Sequence, residues 1–405
     1  MQEAVIVAAV RTPVGRAKKG MFQQTRAEDL GKAVLQAVLE RAPGVQGEQM
    51  DDVILGCAMP EGEQGMNVAR IISMYAGLPS SVPAMTVNRF CSSGLQSIAL
   101  AAERIMLGSA EMIIAGGVES MSHVPMTGFK LSPHPVILEH MPELYMTMGH
   151  TAEEVAGRFG ITREEQDAFA LSSHQKAAEA LFRGSFRDEI VPVEVVNKGF
   201  NETRGAWSER KVLTQDEGVR FDTSIESLSR LKPVFSRGGT VTAGNSSQMS
   251  DGAAAVLVMS RRKAEELQLT PIAAFRSFAL AGVDPEIMGV GPVKAIPNAL
   301  KMAGVNLDQI DLFEINEAFA SQCLHITKEL SLPAERVNVN GGAIALGHPL
   351  GCTGTKLSVS LIHELRRRGG GLGVVSMCIG GGMGAAGVFE VYGDGKAQKG
   401  SGMNE

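Results

Sequence analysis

Asn88-Arg89-Phe90-Cys91-Ser92-Ser93-Gly94-Leu95 places one cysteine at the boundary between two patterns of different period. The run from Val82 to Val87 before it is typical of an extended strand. After it, apolar residues recur at the spacing of an amphipathic helix: Leu95, Ile98, Ala99, Ala102 and Met106. The sequence therefore predicts Cys91 at a helix N-terminus, where unpaired N–H groups and the helix dipole favour an anion. We expect Cys91 to be a nucleophile with a lowered pKa.

The composition limits the kind of protein. A chain of 405 residues is long enough for two or three domains, and its net charge of −6 argues against a nucleic-acid partner. The one dense basic run, Arg366-Arg367-Arg368, closes a predicted helix, where cations match the helix dipole. We expect no membrane span and no signal peptide, because the N-terminus leads directly into a strand pattern and no apolar stretch is long enough to cross a bilayer.

The cysteines point to a reducing compartment. Their number is odd and they have no C-x-x-C spacing: Cys57, Cys91, Cys323, Cys352 and Cys378. Neither a disulfide framework nor a zinc site is indicated. We therefore expect a cytoplasmic protein without a metal.

Short β-branched runs alternate with helical patterns at both ends of the chain, which predicts an α/β fold. The predicted strands are Ala4–Val10, Val53–Cys57, Met112–Gly116, Asp311–Ile315, Leu372–Met377 and Gly387–Val391. Three pairs of segments are similar: 52–56 with 311–315, 87–88 with 339–340, and 111–116 with 373–377. Each pair is separated by about 250 to 260 residues, so we infer two halves built on one plan.

Between the halves, the chain from Met121 to about Met249 changes character. It is richer in His, Pro, Met and charged residues, and it holds the sole tryptophan, Trp207. We expect one clear helix here, Thr151–Leu181, inside an elaborated lid. Insertions of this length on a rigid core usually carry substrate contacts.

Four segments combine reactive side chains with glycine. They are the Cys91 segment, Asn316-Glu317-Ala318-Phe319-Ala320, the run from Gly341 to Gly351 around His348, and Cys378-Ile379-Gly380-Gly381-Gly382-Met383-Gly384. Together they supply what carbon–carbon thiolysis needs: a nucleophile, a basic partner, a second acid/base, and donors for a developing oxyanion. Glycine matters because backbone N–H groups approach a reacting oxygen only where no Cβ intervenes.

Each segment also has a structural interpretation. Cys91 could be a small buried hydrophobe, His348 a hydrogen-bonded loop residue, and Asn316 a helix cap. The G-x-G-x-x-G match from Gly382 to Gly387 does not predict dinucleotide binding, because a strand rather than a helix follows it.

With these four motifs in order, the chain resembles the thiolase family over nearly its whole length. The motifs resemble the family's acyl-cysteine, asparagine, histidine and second-cysteine motifs. The resemblance implies a duplicated α-β-α-β-α layered fold with an inserted loop, or lid, domain. We expect an N-terminal half at 1–120, the lid at 121–249, a return to the first half at 250–271, and a C-terminal half at 272–405.

The resemblance also implies the catalytic roles. Cys91 attacks the 3-keto carbon of a 3-ketoacyl-CoA, His348 stabilises its thiolate, and Cys378 protonates the departing acetyl-CoA enolate and later deprotonates CoA. The enolate oxygen would lie against His348 and a water held by Asn316. The tetrahedral oxygen would face the backbone N–H groups of Cys91 and Gly380. CoA and acetyl-CoA would be substrates, and no tightly bound cofactor is expected.

Eight further positions resemble the family's CoA contacts: Met148, Arg220, Ser227, Phe235, Ala243, Ser247, Met288 and Phe319. Arg220 would face the nucleotide, and Ser247 with the apolar residues would line the pantetheine channel; core packing is the alternative for the apolar ones. Two positions depart from the pattern, because Thr147 stands where some relatives have histidine and Met383 replaces a frequent glutamine.

Within the family, Cys91-Ser92-Ser93 and Asn245 to Gly252 resemble the degradative branch, which implies acetyl-CoA C-acyltransferase activity in fatty-acid β-oxidation. The alternative is acetyl-CoA C-acetyltransferase activity. More distant alternatives are a decarboxylating ketoacyl synthase, which the presence of Cys378 disfavours, and a non-catalytic acyl-CoA-binding protein, which all four reactive residues disfavour. The resemblance further implies a homodimer or homotetramer. A β-oxidation multienzyme complex is a further partner to consider.

Overall fold

The computed structural model describes residues 2–201 and 205–393. Its strands are β1 Ala4–Arg11, β2 Gly15–Arg16, β3 Asp52–Gly56, β4 Ala84–Val87, β5 Met112–Ser120, β6 Val193–Asn201, β7 Gly205–Leu213, β8 Ser250–Ser260, β9 Ala273–Gly282, β10 Leu312–Ile315, β11 Gly370–Ile379 and β12 Met383–Tyr392. Its helices are α1 Ala27–Glu40, α2 Val68–Tyr75, α3 Ser93–Met106, α4 Pro135–His140, α5 Met148–Phe159, α6 Arg163–Arg183, α7 Ile225–Ser229, α8 Arg261–Glu266, α9 Gly291–Ala303, α10 Ala320–Glu329, α11 Ala343–Leu346 and α12 Leu350–Arg367.

One large sheet runs through the molecule in the order β10-β11-β12-β9-β1-β8-β5-β3-β4. In its first half β3 is parallel to β5, and β5 is antiparallel to β8. In its second half β10 is parallel to β11, and β11 is antiparallel to β12. The halves meet where β1 pairs with β9 over two residue pairs, Val5 with Ala274 and Ile6 with Ala273. The predicted α/β class with a duplicated plan is confirmed.

The duplication is incomplete at one place. β3 and β5 of the first half correspond to β10 and β11 of the second, as the similar segments predict. The remaining pair of segments, 87–88 with 339–340, differs. β4 is a full strand beside β3, whereas its counterpart in the second half is reduced to a single bridge between Phe313 and Val337.

Alternating side chains of β8 show how the layers form. Ala254, Val256 and Val258 join the apolar cluster around α3 and α12, while Ala255 and Leu257 join the one that holds α1 and α2. Both faces of a strand are buried when helices cover both sides of its sheet. α3 and α12 are therefore the inner layer between the two halves, with α1 and α2 outside one half and α9 outside the other.

The two inner helices touch backbone to backbone. Thr355 Oγ1 donates a hydrogen bond of 2.9 Å to the Gly94 carbonyl. A Cβ on Gly354 would lie 2.2 Å from the backbone nitrogen of Leu95, closer than non-bonded atoms approach. Glycine is needed here because the helix that follows Cys91 and the helix that follows His348 cross in close contact.

Between β5 and β8 the chain forms α4 to α7 and the ribbon β6–β7. The single helix predicted for Thr151–Leu181 is wrong, since the chain forms α5 and α6 instead. Gly160, with a φ of 63°, ends α5 in the left-handed conformation. Thr162 and Glu165 then begin α6 with a reciprocal capping box, so a helix stop and a helix start lie two residues apart.

Two further predictions concern single segments. β12 begins at Met383, so the Gly382 to Gly387 run lies almost wholly inside a strand and no helix follows it, in agreement with the prediction that it is not a dinucleotide-binding turn. At the end of α12, Arg367 and Arg368 pair with Glu364 at 2.5 and 2.7 Å.

Among the described residues, none of the helices combines the length and apolar composition that a membrane crossing requires.

We predict that Gly354→Ala destabilises the fold by about 1–3 kcal/mol, because the added methyl group forces α3 and α12 apart. Gly157→Ala is the matched control, since this helical glycine has open space around its Cβ position and alanine favours a helix by about 0.5–1 kcal/mol. Urea unfolding of both variants measures the difference. An unchanged midpoint for Gly354→Ala would contradict the close helix contact.

Candidate active site

Three of the four motifs lie where strands end, and the histidine motif lies in the loop before α12. Ile315 of β10 is paired with Ser376 of β11, so Asn316 and Cys378 lie at the same edge of the sheet. The carboxyl ends of parallel strands meet at one edge, which is where ligands bind in open α/β sheets. In the first half β4 is parallel to β3 and leads to the turn that carries Cys91.

The turn around Cys91 is held by its neighbours. Phe90 has a φ of 42°, a left-handed conformation that costs energy for a bulky residue. Asn88 Oδ1 accepts a hydrogen bond of 2.8 Å from the Phe90 N–H, and Ser93 Oγ donates one of 2.7 Å to the Phe90 carbonyl. Asn88 Nδ2 also donates to the Ala58 carbonyl at 3.0 Å. These bonds fix Cys91, which is buried, one residue before the N-cap of α3.

Burial raises the pKa of the Cys91 thiol to about 12. The backbone N–H groups of Gly380 and of Cys91 itself are directed at the sulfur and act in the opposite direction. The predicted lowered pKa is therefore wrong for the protein without substrate, because removing the thiolate from water outweighs the donors around it. Cys91 is a neutral thiol that needs a base.

Gly380 begins the glycine turn between β11 and β12. A Cβ at Gly380 would lie 3.3 Å from Met148 Sδ and 3.9 Å from a ring carbon of Phe90. A side chain here would crowd Met148, whereas the N–H of Gly380 is directed at the Cys91 sulfur. Together with the Cys91 N–H it gives the sulfur two backbone donors, and such a pair can bind an oxyanion on an attached carbonyl carbon.

His348 lies between α11 and α12 and is buried. Its Nδ1 is 2.6 Å from Thr353 Oγ1, and that hydroxyl is 2.8 Å from the Pro349 carbonyl, which can only accept. The Thr353 proton therefore goes to Pro349, and His348 Nδ1 carries the proton given to Thr353. Burial, with a smaller effect from Lys356, lowers the pKa of His348 to about 3. His348 is thus a neutral imidazole with an unprotonated Nε2.

Asn316 follows β10 and is fully buried. Its Nδ2 lies 3.2 Å from His348 Nε2, while its Oδ1 has no hydrogen-bond partner among the described residues. A buried amide oxygen without a partner is costly, so this atom is available to a bound group. The structure therefore brings Asn316 and His348 together.

Cys378 lies near the end of β11 and is fully buried. Burial, and then negative charge on Cys91, raise the pKa of Cys378. Two thiols that interact in this way do not ionise together, so a thiolate on one keeps the other protonated. Cys378, the expected second acid/base, is therefore a neutral thiol in the free protein, and the two thiols are matched to each other.

Two buried carboxylates connect the motifs, although the sequence analysis assigned them no role. Glu317 accepts hydrogen bonds from Ser173 Oγ at 2.6 Å and from the Ile344 N–H at 3.2 Å, which ties the asparagine motif to the histidine loop. Glu119 accepts from the Ala58 and Gly351 N–H groups, both at 2.8 Å, and joins the first half to the start of α12. Their only sequence signal is a charged residue inside an apolar run.

The eight predicted CoA positions separate into two groups. Four pack with Cys378 in one apolar cluster: Met148, Phe235, Met288 and Phe319. The other four are exposed or half-buried nearer the surface: Arg220, Ser227, Ala243 and Ser247. Ser247 connects the groups, because its N–H donates to the Ala318 carbonyl at 2.9 Å. An apolar wall beside a thiol with polar residues outside it suits a thioester with a long polar tail.

A duplicated sheet, two buried thiols, a neutral imidazole and converging backbone N–H groups are the parts that an acyltransferase working through a cysteine requires. Residues 4–262 match the family model for the thiolase N-terminal domain, and residues 269–391 match that for the thiolase C-terminal domain. The chain belongs to the thiolase family.

Individual relatives agree with this membership. A 3-ketoacyl-CoA thiolase of Bacillus subtilis (strain 168) is 61% identical over 391 residues, which cover 96% of this chain and 100% of the relative. The crystal structure of the Bacillus anthracis acetyl-CoA acetyltransferase superimposes with a TM-score of 0.87 at 43% identity, covering 96% and 99% of the two chains. The dimeric peroxisomal thiolase of Saccharomyces cerevisiae has a TM-score of 0.87 at 39% identity, covering 96% and 97%.

We predict that alkylation of Cys91 by iodoacetamide speeds up about tenfold per pH unit from pH 7 to 9 without a plateau, because its raised pKa keeps the thiolate a minor species. Peptide mass spectrometry of the Cys378→Ala variant measures modification at Cys91 alone. A plateau below pH 7 would instead indicate a preformed thiolate.

We also predict that Thr353→Val slows acylation of Cys91 by an activated acetyl thioester by about 10- to 100-fold. Without the Thr353 hydroxyl, the Nδ1–H of His348 loses its acceptor, and Nε2 is no longer kept unprotonated as the base. Thr353→Ser keeps the hydroxyl and is the matched control, so its rate stays near that of the unaltered protein. Equal rates for valine and serine would contradict the tautomer assigned to His348.

Proposed function

We propose that this protein cleaves 3-ketoacyl-CoA with CoA, giving acetyl-CoA and a shortened acyl-CoA through an acyl-cysteine intermediate, as a step of fatty-acid β-oxidation. The observation that carries the proposal is the convergence of the Gly380 and Cys91 N–H groups on the Cys91 sulfur, with Cys378 close enough to respond to its charge. Each positioned donor contributes about 3 to 4 kcal/mol to transition-state stabilisation.

In the first half-reaction the proton of the Cys91 thiol passes to His348 while the sulfur attacks the 3-keto carbon, so a free thiolate does not have to form beforehand. The bond between C2 and C3 then breaks, the shortened acyl group stays on Cys91, and the acetyl-CoA enolate takes the proton of Cys378. The neutral imidazole supports this role for His348, because Nε2 is unprotonated and Nδ1–H is fixed by Thr353.

In the second half-reaction CoA gives its thiol proton to Cys378, and the CoA thiolate attacks the acyl-cysteine. Cys91 leaves as a thiolate and recovers its proton from His348. The unpartnered Oδ1 of Asn316 supports the predicted role of this residue in holding a water at the enolate oxygen. The transfer from the CoA thiol to Cys378 joins two groups of the same chemistry, so this step is nearly balanced, and the reaction runs in both directions.

We place CoA against the eight predicted contact residues, with Arg220 at the nucleotide end and the Met148, Phe235, Met288 and Phe319 cluster at the thioester end. The segment 121–249 is the proposed lid, inserted between a first half formed by 1–120 with 250–271 and a second half at 272–405. No tightly bound cofactor is proposed beyond CoA and acetyl-CoA as substrates.

We further propose a cytoplasmic homo-oligomer, a dimer or a tetramer. β4 is an outer strand of the sheet and its residues are only half-buried, a situation that proteins usually relieve by covering the edge. The similar yeast peroxisomal thiolase is described as dimeric. Sedimentation at the mass of a single chain would contradict this part of the proposal.

We predict CoA-dependent cleavage of 3-ketoacyl-CoA substrates from four carbons to medium and long chains, measured by loss of the substrate's absorbance. Cys91→Ala abolishes it, because no other group accepts the acyl chain. Activity confined to acetoacetyl-CoA would assign the protein to the acetyltransferase alternative, which the similarity to the Bacillus anthracis acetyl-CoA acetyltransferase favours. Cleavage that survives in Cys91→Ala would contradict the mechanism.

A further inference from the structure

Gln322 is a fully buried carboxamide beside two residues of the site. It lies on α10, six residues after Asn316, and only 1% of its surface is exposed. A long polar side chain is rarely buried unless its atoms are hydrogen-bonded. The contacts of this carboxamide therefore show what it holds in place.

The neighbours of Gln322 decide which of its terminal atoms is nitrogen. One terminal atom faces the Asn316 carbonyl, which can only accept, and the other faces the Cys323 N–H, which can only donate. The nitrogen therefore donates to the Asn316 carbonyl at 3.1 Å, and the oxygen accepts from Cys323 at 2.8 Å.

The same nitrogen lies 3.3 Å from Cys378 Sγ. An amide nitrogen has two hydrogens, so after one is given to the Asn316 carbonyl the second is available to the sulfur. Sulfur is a weak acceptor as a thiol and a strong one as a thiolate. The contact therefore gains strength when Cys378 loses its proton.

We propose that Gln322 is a positioning residue that donates an N–H to the Cys378 thiolate formed when the enolate is protonated, while its other N–H holds the backbone of Asn316. This inference rests on the proposed function and deepens it. The proton moves from Cys378 sulfur to the enolate carbon, so the S–H bond breaks as the C–H bond forms, and it is replaced from the thiol of CoA. Gln322 exchanges no proton.

The surroundings of Cys378 leave this donor a clear role. The titratable groups that face its sulfur are two other buried thiols, Cys91 and Cys323, and neither is a cation. The backbone N–H of Cys378 itself also acts on the sulfur, and the apolar side chains of Met288 and Phe319 belong to the same cluster. An N–H from a neutral amide is thus the side-chain donor that the structure offers to this thiolate.

The first experiment compares Gln322→Met, which keeps the length and removes the donor, with Gln322→Glu, which keeps the shape and replaces the nitrogen by oxygen. We expect kcat for CoA-dependent cleavage of acetoacetyl-CoA to fall about 10- to 100-fold in both. Acylation of Cys91 by thiophenyl acetate, an activated thioester that needs no proton from Cys378, keeps its rate. Ser321→Ala is the matched control, since it removes a buried α10 hydrogen bond to Ala152 and leaves kcat unchanged.

The second experiment needs no turnover and so separates this inference from the proposed function. In the Cys91→Ser background, Gln322→Met slows alkylation of Cys378 by iodoacetamide and moves its rise to higher pH, because the thiolate loses its donor. Unchanged alkylation of Cys378 would overturn the role of Gln322. So would an equal loss of the acylation rate and the cleavage rate in Gln322→Met and Gln322→Glu. Failure of the unaltered protein to cleave acetoacetyl-CoA, with the alkylation effect intact, would refute only the proposed function.

Discussion

The burial of two thiols in one apolar site is the constraint on which the account depends. A thiolate out of water is costly, so Cys91 and Cys378 are both protonated in the free protein, and the charge of one opposes the ionisation of the other. In such a site a cysteine thiolate is present only between two proton transfers. It needs a neutral base, which His348 supplies, and positioned N–H donors, which Gly380 and Cys91 supply through their backbones.

The duplicated fold positions much of this site with strand pairs that are present in each half. Parallel strand pairs in each half deliver one cysteine each, and α3 and α12 cross so closely that Gly354 admits no side chain. Buried carboxylates such as Glu119 then fasten the first half to the helix that follows His348. The precision of the site is a consequence of contacts between halves, since neither half contains all four motifs.

Much of this could be predicted from the sequence, because strand runs, a chemical motif at the end of a strand and the repeat of similar segments are all local signals. The α/β class, the duplication and the strand turn after Cys378 are of this kind. The broken helix at Gly160 was missed because apolar spacing continues across the break, while the stop and start signals are single residues. The pKa of Cys91, the tautomer set by Thr353 and the amide of Gln322 depend on burial and on partners distant in sequence, which no local pattern encodes.

The most direct test of the central claim separates the two thiols. The Cys378→Ala variant is mixed with an activated acetyl thioester, and the acylated peptide is identified by mass spectrometry while cleavage and condensation are assayed on the same sample. We expect an acetyl group on Cys91 and no turnover in either direction, because the nucleophile survives and proton transfer is lost. Near-normal turnover of this variant would contradict the division of roles between Cys91 and Cys378.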